Sequence, residues 1–303
     1  MREVITINNL SYTYPDGTRA LENINMKVYE GEKIGIAGPN GAGKTTLLLH
    51  FNGILNGSKG EVKIFGKKIK DKKREEIIKD VGVVFQDPDD QLFMPTVFDD
   101  VAFGPINLGL NKKEVRERVK EALSKLGLSG YEERCSHHLS FGEKKRVSLA
   151  TVISMKSRIL VLDEPTANLD PGSRMELIKV IKSLNKEEKV TIIIATHDVN
   201  ALPELVDRIY VLKKTIIGEG TPYQVFSNFD LLNKANLDVP EIFKLFKILR
   251  CFGYNCEKLP LSMQEAVEQL TKTIRTRGGH IHLHIHEHTH TIGTKLKIYE
   301  HHE

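Results

Sequence analysis

Gly38-Pro39-Asn40-Gly41-Ala42-Gly43-Lys44-Thr45 satisfies the spacing G-x-x-x-x-G-K-[ST]. Glycines at these places let backbone N–H groups curl around phosphate oxygens, and the first turn of a following helix adds partial positive charge. In such a loop Lys44 reaches the β- and γ-phosphates, the Thr45 hydroxyl holds Mg²⁺, and Thr46 completes the cradle. A glycine-rich turn that only capped a helix would not need Lys44 beside Thr45. Residues 38–46 are therefore expected to bind a nucleoside triphosphate.

A second chemical feature is Asp163-Glu164, which follows the apolar run Ile159-Leu160-Val161-Leu162. Ligands of open α/β sheets collect at the carboxyl ends of buried strands. Asp163 suits the Mg²⁺. Glu164, pointing differently, suits a base that orients or deprotonates the attacking water. An acidic loop at a strand end is the plain alternative. Beside a phosphate loop, the pair predicts hydrolysis as well as binding.

These residues need a frame. Ile34-Gly35-Ile36-Ala37 reads as a short strand entering the glycine loop, with a helical run from Gly43 through Leu55 leaving it. Val190 to Ala195 reads, like Ile159 to Leu162, as a parallel strand buried on both faces. Upstream, Val4, Ile5, Ile7 and Leu10, then Ile24, Met26 and Val28, alternate as antiparallel strands around a Pro15-Asp16-Gly17 turn. Asn111 to Leu126 is an amphipathic helix with Asn111 and Glu114 as its capping pair. Gly218 to Pro222 reads as a turn. Beyond about residue 235 the pattern restarts, with helices near Pro240 to Arg250 and Ser262 to Ile274, the second capped by Ser262 and Glu265.

Composition sets outer bounds. The chain has 303 residues, 40% hydrophobic and 28% charged, which is globular rather than disordered. Its net charge of +4 does not point to nucleic acid. The three cysteines form no C-x-x-C pair and fit reduced thiols. Aliphatic runs fall far short of the ~20 residues that span a bilayer, and the N-terminus lacks a secretory pattern, so a cytoplasmic location is expected.

Further segments give the chain its resemblance. Leu139-Ser140-Phe141-Gly142-Glu143 stands where ATP-binding cassette ATPases carry LSGGQ, Gln86 stands at their Q-loop, Ala167-Asn168-Leu169-Asp170 at their D-loop, and His197 at their switch histidine. Over about residues 1–225 the chain resembles that family. The resemblance implies an α/β P-loop NTPase cassette: a mixed sheet core, an antiparallel β layer and a helical subdomain at about 87–158. A small α+β domain would follow at 235–303. It implies ATP and Mg²⁺ as ligands, with Gln86 contacting Mg²⁺ or the water and His197 donating to the γ-phosphate. Tyr14, or alternatively Tyr12, would stack on adenine. Ser140 and Gly142 open a helix that makes a second anion site. In the family's geometry that site serves a partner's nucleotide, so the resemblance implies a head-to-tail dimer with a second cassette subunit, identical or not. Asp170 would sit at that interface, or simply cap the helix that starts at Pro171. Phe141 and Glu143 depart from LSGGQ, and Glu143 brings a negative charge towards ATP.

Phe85-Gln86-Asp87-Pro88-Asp89-Asp90-Gln91-Leu92-Phe93, Val101-Ala102-Phe103-Gly104-Pro105 and Asn107-Leu108-Gly109-Leu110 resemble the energy-coupling-factor importers, within them the cobalt/nickel type. That resemblance implies a transmembrane coupling protein and a substrate-binding membrane component as partners, no nucleic acid, and a peripheral position on the cytoplasmic face of the cell membrane. A separate feature is the alternation of His280, His282, His284, His286, His288 and His290. On a strand these imidazoles share one face, suited either to Ni²⁺, Co²⁺ or Zn²⁺ or to solvent on an edge. Competing expectations are a soluble cassette ATPase acting on nucleic acid or ribosomes, and an NTP-dependent interaction protein with little hydrolysis. A single P-loop and the lack of a sustained heptad weigh against the first.

Overall fold

A computed structural model describes residues 2–254, 256 and 258–276. The alternating N-terminal strands β1 (Glu3–Thr13) and β2 (Arg19–Tyr29) pair antiparallel around the expected turn. The chain then runs through β3 (Lys33–Ala37) and α1 (Lys44–Phe51), with the glycine loop between them. α1 is shorter than the apolar run suggested, because Asn52 and Gly53 end it, Gly53 at φ 73°. β4 (Lys59–Ile64) and β5 (Lys67–Lys68) complete a four-stranded sheet of order β2-β1-β4-β5.

After α2 (Arg74–Asp80), strand β6 (Val81–Val84) leads to three helices, α3 (Val97–Asn107), α4 (Lys112–Lys125) and α5 (Phe141–Ile153). Asn111 and Glu114 cap α4 reciprocally. Asp100 is buried in this region, and its carboxylate accepts from the Phe93 and Met94 N–H groups, each at 3.0 Å, and from the Ser136 hydroxyl. A buried acid so fully bonded fixes the approach to α3 instead of destabilising it.

The chain returns to the centre with β7 (Ile159–Asp163), α6 (Pro171–Glu188), β8 (Thr191–Thr196), α7 (Leu202–Leu205), β9 (Arg208–Lys213) and β10 (Thr215–Gly220). The second sheet has the order β10-β9-β3-β8-β7-β6, parallel from β9 to β6, with β10 antiparallel at its edge. Every residue of β7 and β8 is buried, as continuous apolar runs require when both faces are covered. Gly218-Glu219-Gly220 is thus strand rather than turn. A Cβ on Gly218 would lie 2.6 Å from the Leu231 side chain, so glycine there allows a helix to pack close against the strand. That helix is α9 (Phe229–Ala235), preceded by α8 (Pro222–Phe226). The outcome is a mixed α/β cassette with an antiparallel layer, as the sequence suggests.

The described residues fall into two compact units, divided between Val239 and Pro240. In the second, α10 (Glu241–Cys251) and α11 (Met263–Thr276) lie near the two expected helices, and Ser262 Oγ accepts the Glu265 N–H at 3.2 Å.

Candidate phosphate site

The parallel strands β3, β7 and β8 end side by side, and their carboxyl ends carry the glycine loop, Asp163-Glu164 and His197 to one place. A cavity of about 290 Å³ there is lined by residues 40–46, Gln86, Asp163, Glu164 and His197. Gly43 enters α1 at φ 98°, and a Cβ on it would lie 2.5 Å from the Ala20 carbonyl oxygen. Only glycine fits that left-handed, crowded position. No side chain caps α1 and its first turn holds no acid, which leaves its amides available to an anion.

Lys44 is 7% exposed. Its Nζ donates to the carbonyls of Gly38 at 2.8 Å and Pro39 at 3.2 Å, and lies 3.7 Å from Glu164 Oε1. Burial pulls its pKa down, while Glu164 and Asp163 oppose that shift. The Thr45 hydroxyl donates to Asp163 Oδ2 at 2.6 Å. Burial raises the Asp163 carboxyl pKa, and its Oδ1 is buried with no hydrogen-bond partner. An oxygen pair of this kind, one atom still unsatisfied, is what a small hard cation recruits.

Glu164 is 4% exposed and adopts φ 45°, a left-handed backbone uncommon outside glycine. Its Oε2 accepts from Thr196 Oγ1 at 2.7 Å; its Oε1 accepts from the His197 N–H at 3.0 Å and lies 2.7 Å from His197 Nδ1. An ionised carboxylate only accepts, so Nδ1 carries the proton of that contact. Donation from His197 to a phosphate through the other ring nitrogen then requires a second proton.

The other expected residues lie apart from the cavity lining. The Tyr14 hydroxyl is 2.9 Å from Thr46 Oγ1, and the Tyr14 ring meets Tyr12 edge-on at 5.0 Å. Tyr12 also packs edge-on against buried His50 at 5.0 Å and against the main core, and both tyrosines are half-buried. Ser140 caps α5, accepting the Glu143 N–H at 3.3 Å, while the Glu143 carboxylate accepts the Ser140 N–H at 2.8 Å. The Tyr131 hydroxyl donates to the same carboxylate at 2.8 Å. Together these bonds, the Ser140 N–H first, lower the Glu143 pKa. Asp170 caps α6 through the Ser173 N–H at 3.0 Å, and a Cβ on Gly142 would sit 3.0 Å from Ser173 Oγ, so the starts of α5 and α6 adjoin. The six alternating histidines, 280 to 290, lie outside the described residues.

Two positioning groups escaped the sequence reading. Gln91 ties the segment after β6 to α5: its Oε1 accepts the Phe85 N–H at 3.1 Å, and its Nε2 donates to the Ser148 carbonyl at 2.8 Å and to Thr151 Oγ1 at 2.7 Å. Lys145, 2% exposed, donates to the Gln86 carbonyl at 2.6 Å and the Glu164 carbonyl at 3.2 Å. Desolvation by burial brings the Lys145 pKa down to about 8, against the pull of Asp163, Asp87 and Glu164. Helical period alone does not separate an exposed lysine from one this deep.

A family model described as ABC transporter matches residues 21–167. The energy-coupling factor transporter ATP-binding protein EcfA of Methanocaldococcus jannaschii is 52% identical over 249 residues, 81% of this chain and 89% of its own. The protein of that name from Methanothermobacter thermautotrophicus is 48% identical over 271 residues, 88% of this chain and 86% of its own. Among solved structures, cbiO1 from Clostridium perfringens, described as part of the ABC transporter complex cbiONQ, is similar at TM-score 0.69 and 41% identity, covering 82% of this chain and 100% of that one. A dimeric ATP-binding cassette in a post-hydrolysis state bound to ADP and Pi gives TM-score 0.65 at 29% identity, covering 72% of this chain and 98% of that one.

Proposed function

The chain belongs to the ABC transporter ATP-binding family and is an ATPase of that family, and from that premise we propose that it powers an energy-coupling-factor importer for cobalt or nickel, or for a vitamin. The observation that carries the reading is the convergence of Lys44, the Thr45–Asp163 pair and the Glu164–His197 pair on one cavity. The likeness of residues 85–110 to the cobalt/nickel type supports the metal cargo, and so do the six alternating histidines, which we propose bind that ion.

In this reading the loop of residues 38–46, through the N–H groups of its non-proline residues, and Lys44 hold the β- and γ-phosphates, and Tyr14 stacks on adenine. Thr45, Asp163 and Gln86 would supply oxygen ligands to Mg²⁺, which would neutralise phosphate charge when bound. Bonds from Thr196 and His197 fix the Glu164 carboxylate, and a lone pair remaining on Oε2 takes the proton of the attacking water. His197 holds that carboxylate in line. Ser140 and Gly142 at the start of α5, with Asp170 at the start of α6, face the nucleotide of a second cassette subunit. No helix among the described residues is long and apolar enough to cross a membrane. In this reading passage of the solute falls to a transmembrane coupling protein and a substrate-binding membrane component, as the likeness to energy-coupling-factor importers suggests, with this chain at the cytoplasmic face.

The test is isolation of the chain with its membrane partners, followed by ATP turnover and identification of the solute. Cobalt, nickel or a vitamin in a membrane complex that consumes ATP supports the proposal. Absence of any integral membrane partner, or co-purification with nucleic acid, contradicts it.

A further inference from the structure

Lys145 lies one turn into α5, whose first residues form the proposed contact to a partner's nucleotide. Its ammonium donates to two carbonyls that belong to different segments: Gln86, just beyond β6, and Glu164, just beyond β7. The side chains of both residues line the phosphate cavity. Burying an ammonium is costly, and a purely apolar side chain would fill this space without that cost. What the ammonium adds is a shared donor for two backbone oxygens that have to be held in register. Glu164 has a left-handed backbone at φ 45°, its N–H bonded to the Ala195 carbonyl at 2.8 Å and its carbonyl also accepting the Ala167 N–H at 3.2 Å; of these ties, the one from Lys145 reaches it from α5.

We propose that Lys145 is a positioning residue that ties the signature helix to the backbone of both Gln86 and Glu164. A shift of α5 when it seats on a partner's nucleotide then reaches the chain's own hydrolytic groups through one side chain. Gln91, anchoring Phe85 to the same helix, makes the Q-loop side of that link stiff. The inference rests on the ATPase reading above.

Steady-state kinetics of the full chain test it, with Lys145→Met and Lys145→Gln beside the wild type. Methionine removes the donors. Glutamine keeps two N–H donors on a shorter stem. A displaced base costs turnover and not binding, so Lys145→Met should lose about ten- to a hundredfold in kcat with KM within about threefold, and Lys145→Gln should recover part of the loss. Wild-type kcat in soluble Lys145→Met overturns the role, as does a Lys145→Gln that recovers nothing of the loss. So does a parallel loss of kcat and ATP affinity with a lowered melting temperature, the pattern of general destabilisation. If Lys145→Met does not fold, Lys145→Gln decides by the same split. A wild-type chain that does not turn over ATP counts against the function proposed above; an active wild type with unaffected variants counts against Lys145 alone.

Discussion

Two helix N-termini carry the proposed nucleotide contacts, and they are built in opposite ways. α1 starts at a left-handed Gly43 with no side-chain cap and no acid in its first turn, so its positive end is open to an anion. α5 starts with Ser140 and Glu143 capping each other, and a carboxylate already lies at its positive end. The first end has N–H groups that no side chain satisfies, which suits it to the phosphate proposed above. The second is stable without phosphate and offers the Ser140 hydroxyl proton, since Ser140 Oγ is engaged here as an acceptor. In the proposed function, glycine and lysine at α1 would give affinity, whereas the capped serine at α5 would add a weaker contact once two subunits meet.

Removing the α1 cation should have the largest effect. Lys44→Ala is expected to weaken ATP binding about 50-fold, the scale of lost hydrogen bonds to a charged group, as read by nucleotide titration. Comparable binding in the variant would erase the distinction between the two ends. Ser140→Ala should leave ATP affinity of the single chain unchanged, lower turnover about tenfold, and cost about 1 kcal/mol of stability through the lost cap, as kinetics and urea unfolding will register. Glu143→Gln can keep the capping box but removes the charge and one of the two oxygens that accept from Ser140 and Tyr131, so turnover should rise about two- to fivefold while stability falls by about 0.5–1 kcal/mol. A fall in turnover would mean that the carboxylate helps at α5. A last effect concerns the lysine behind α5. The folded chain sheds the Lys145 proton near pH 8, whereas the unfolded chain keeps it into the ordinary lysine range. The unfolded state binds more protons in that window, so stability should rise as pH climbs from about 8 towards 10, and Lys145→Met should flatten that slope.

The same contrast explains what the sequence disclosed. The α1 cradle is contiguous, its spacing fixed by the glycines and Lys44, so loop, strand and helix are legible together. Asp163 and Glu164 stand out because β7 is an uninterrupted apolar run. Ser140 is legible as a cap, but the closure of Glu143 onto Tyr131 depends on a chain segment twelve residues away. Lys145 is hidden for a stronger reason: it lies among Lys144 and Arg146 in a sequence that looks solvated, and only the packing of α5 against the ends of β6 and β7 buries it. Gly218 misleads because glycine serves a close helix approach as readily as a turn, and the partner, Leu231, is thirteen residues on.

In the proposed function one ATP is held between the cradle of one subunit and the capped serine of another. Glu164→Gln keeps every binding group while removing the base, so it should trap that state. Light scattering of this variant with nucleotide quantification should give about twice the single-chain mass with MgATP, one uncleaved ATP per chain, and single-chain mass without nucleotide. A variant that binds ATP yet keeps the single-chain mass at saturating MgATP contradicts it.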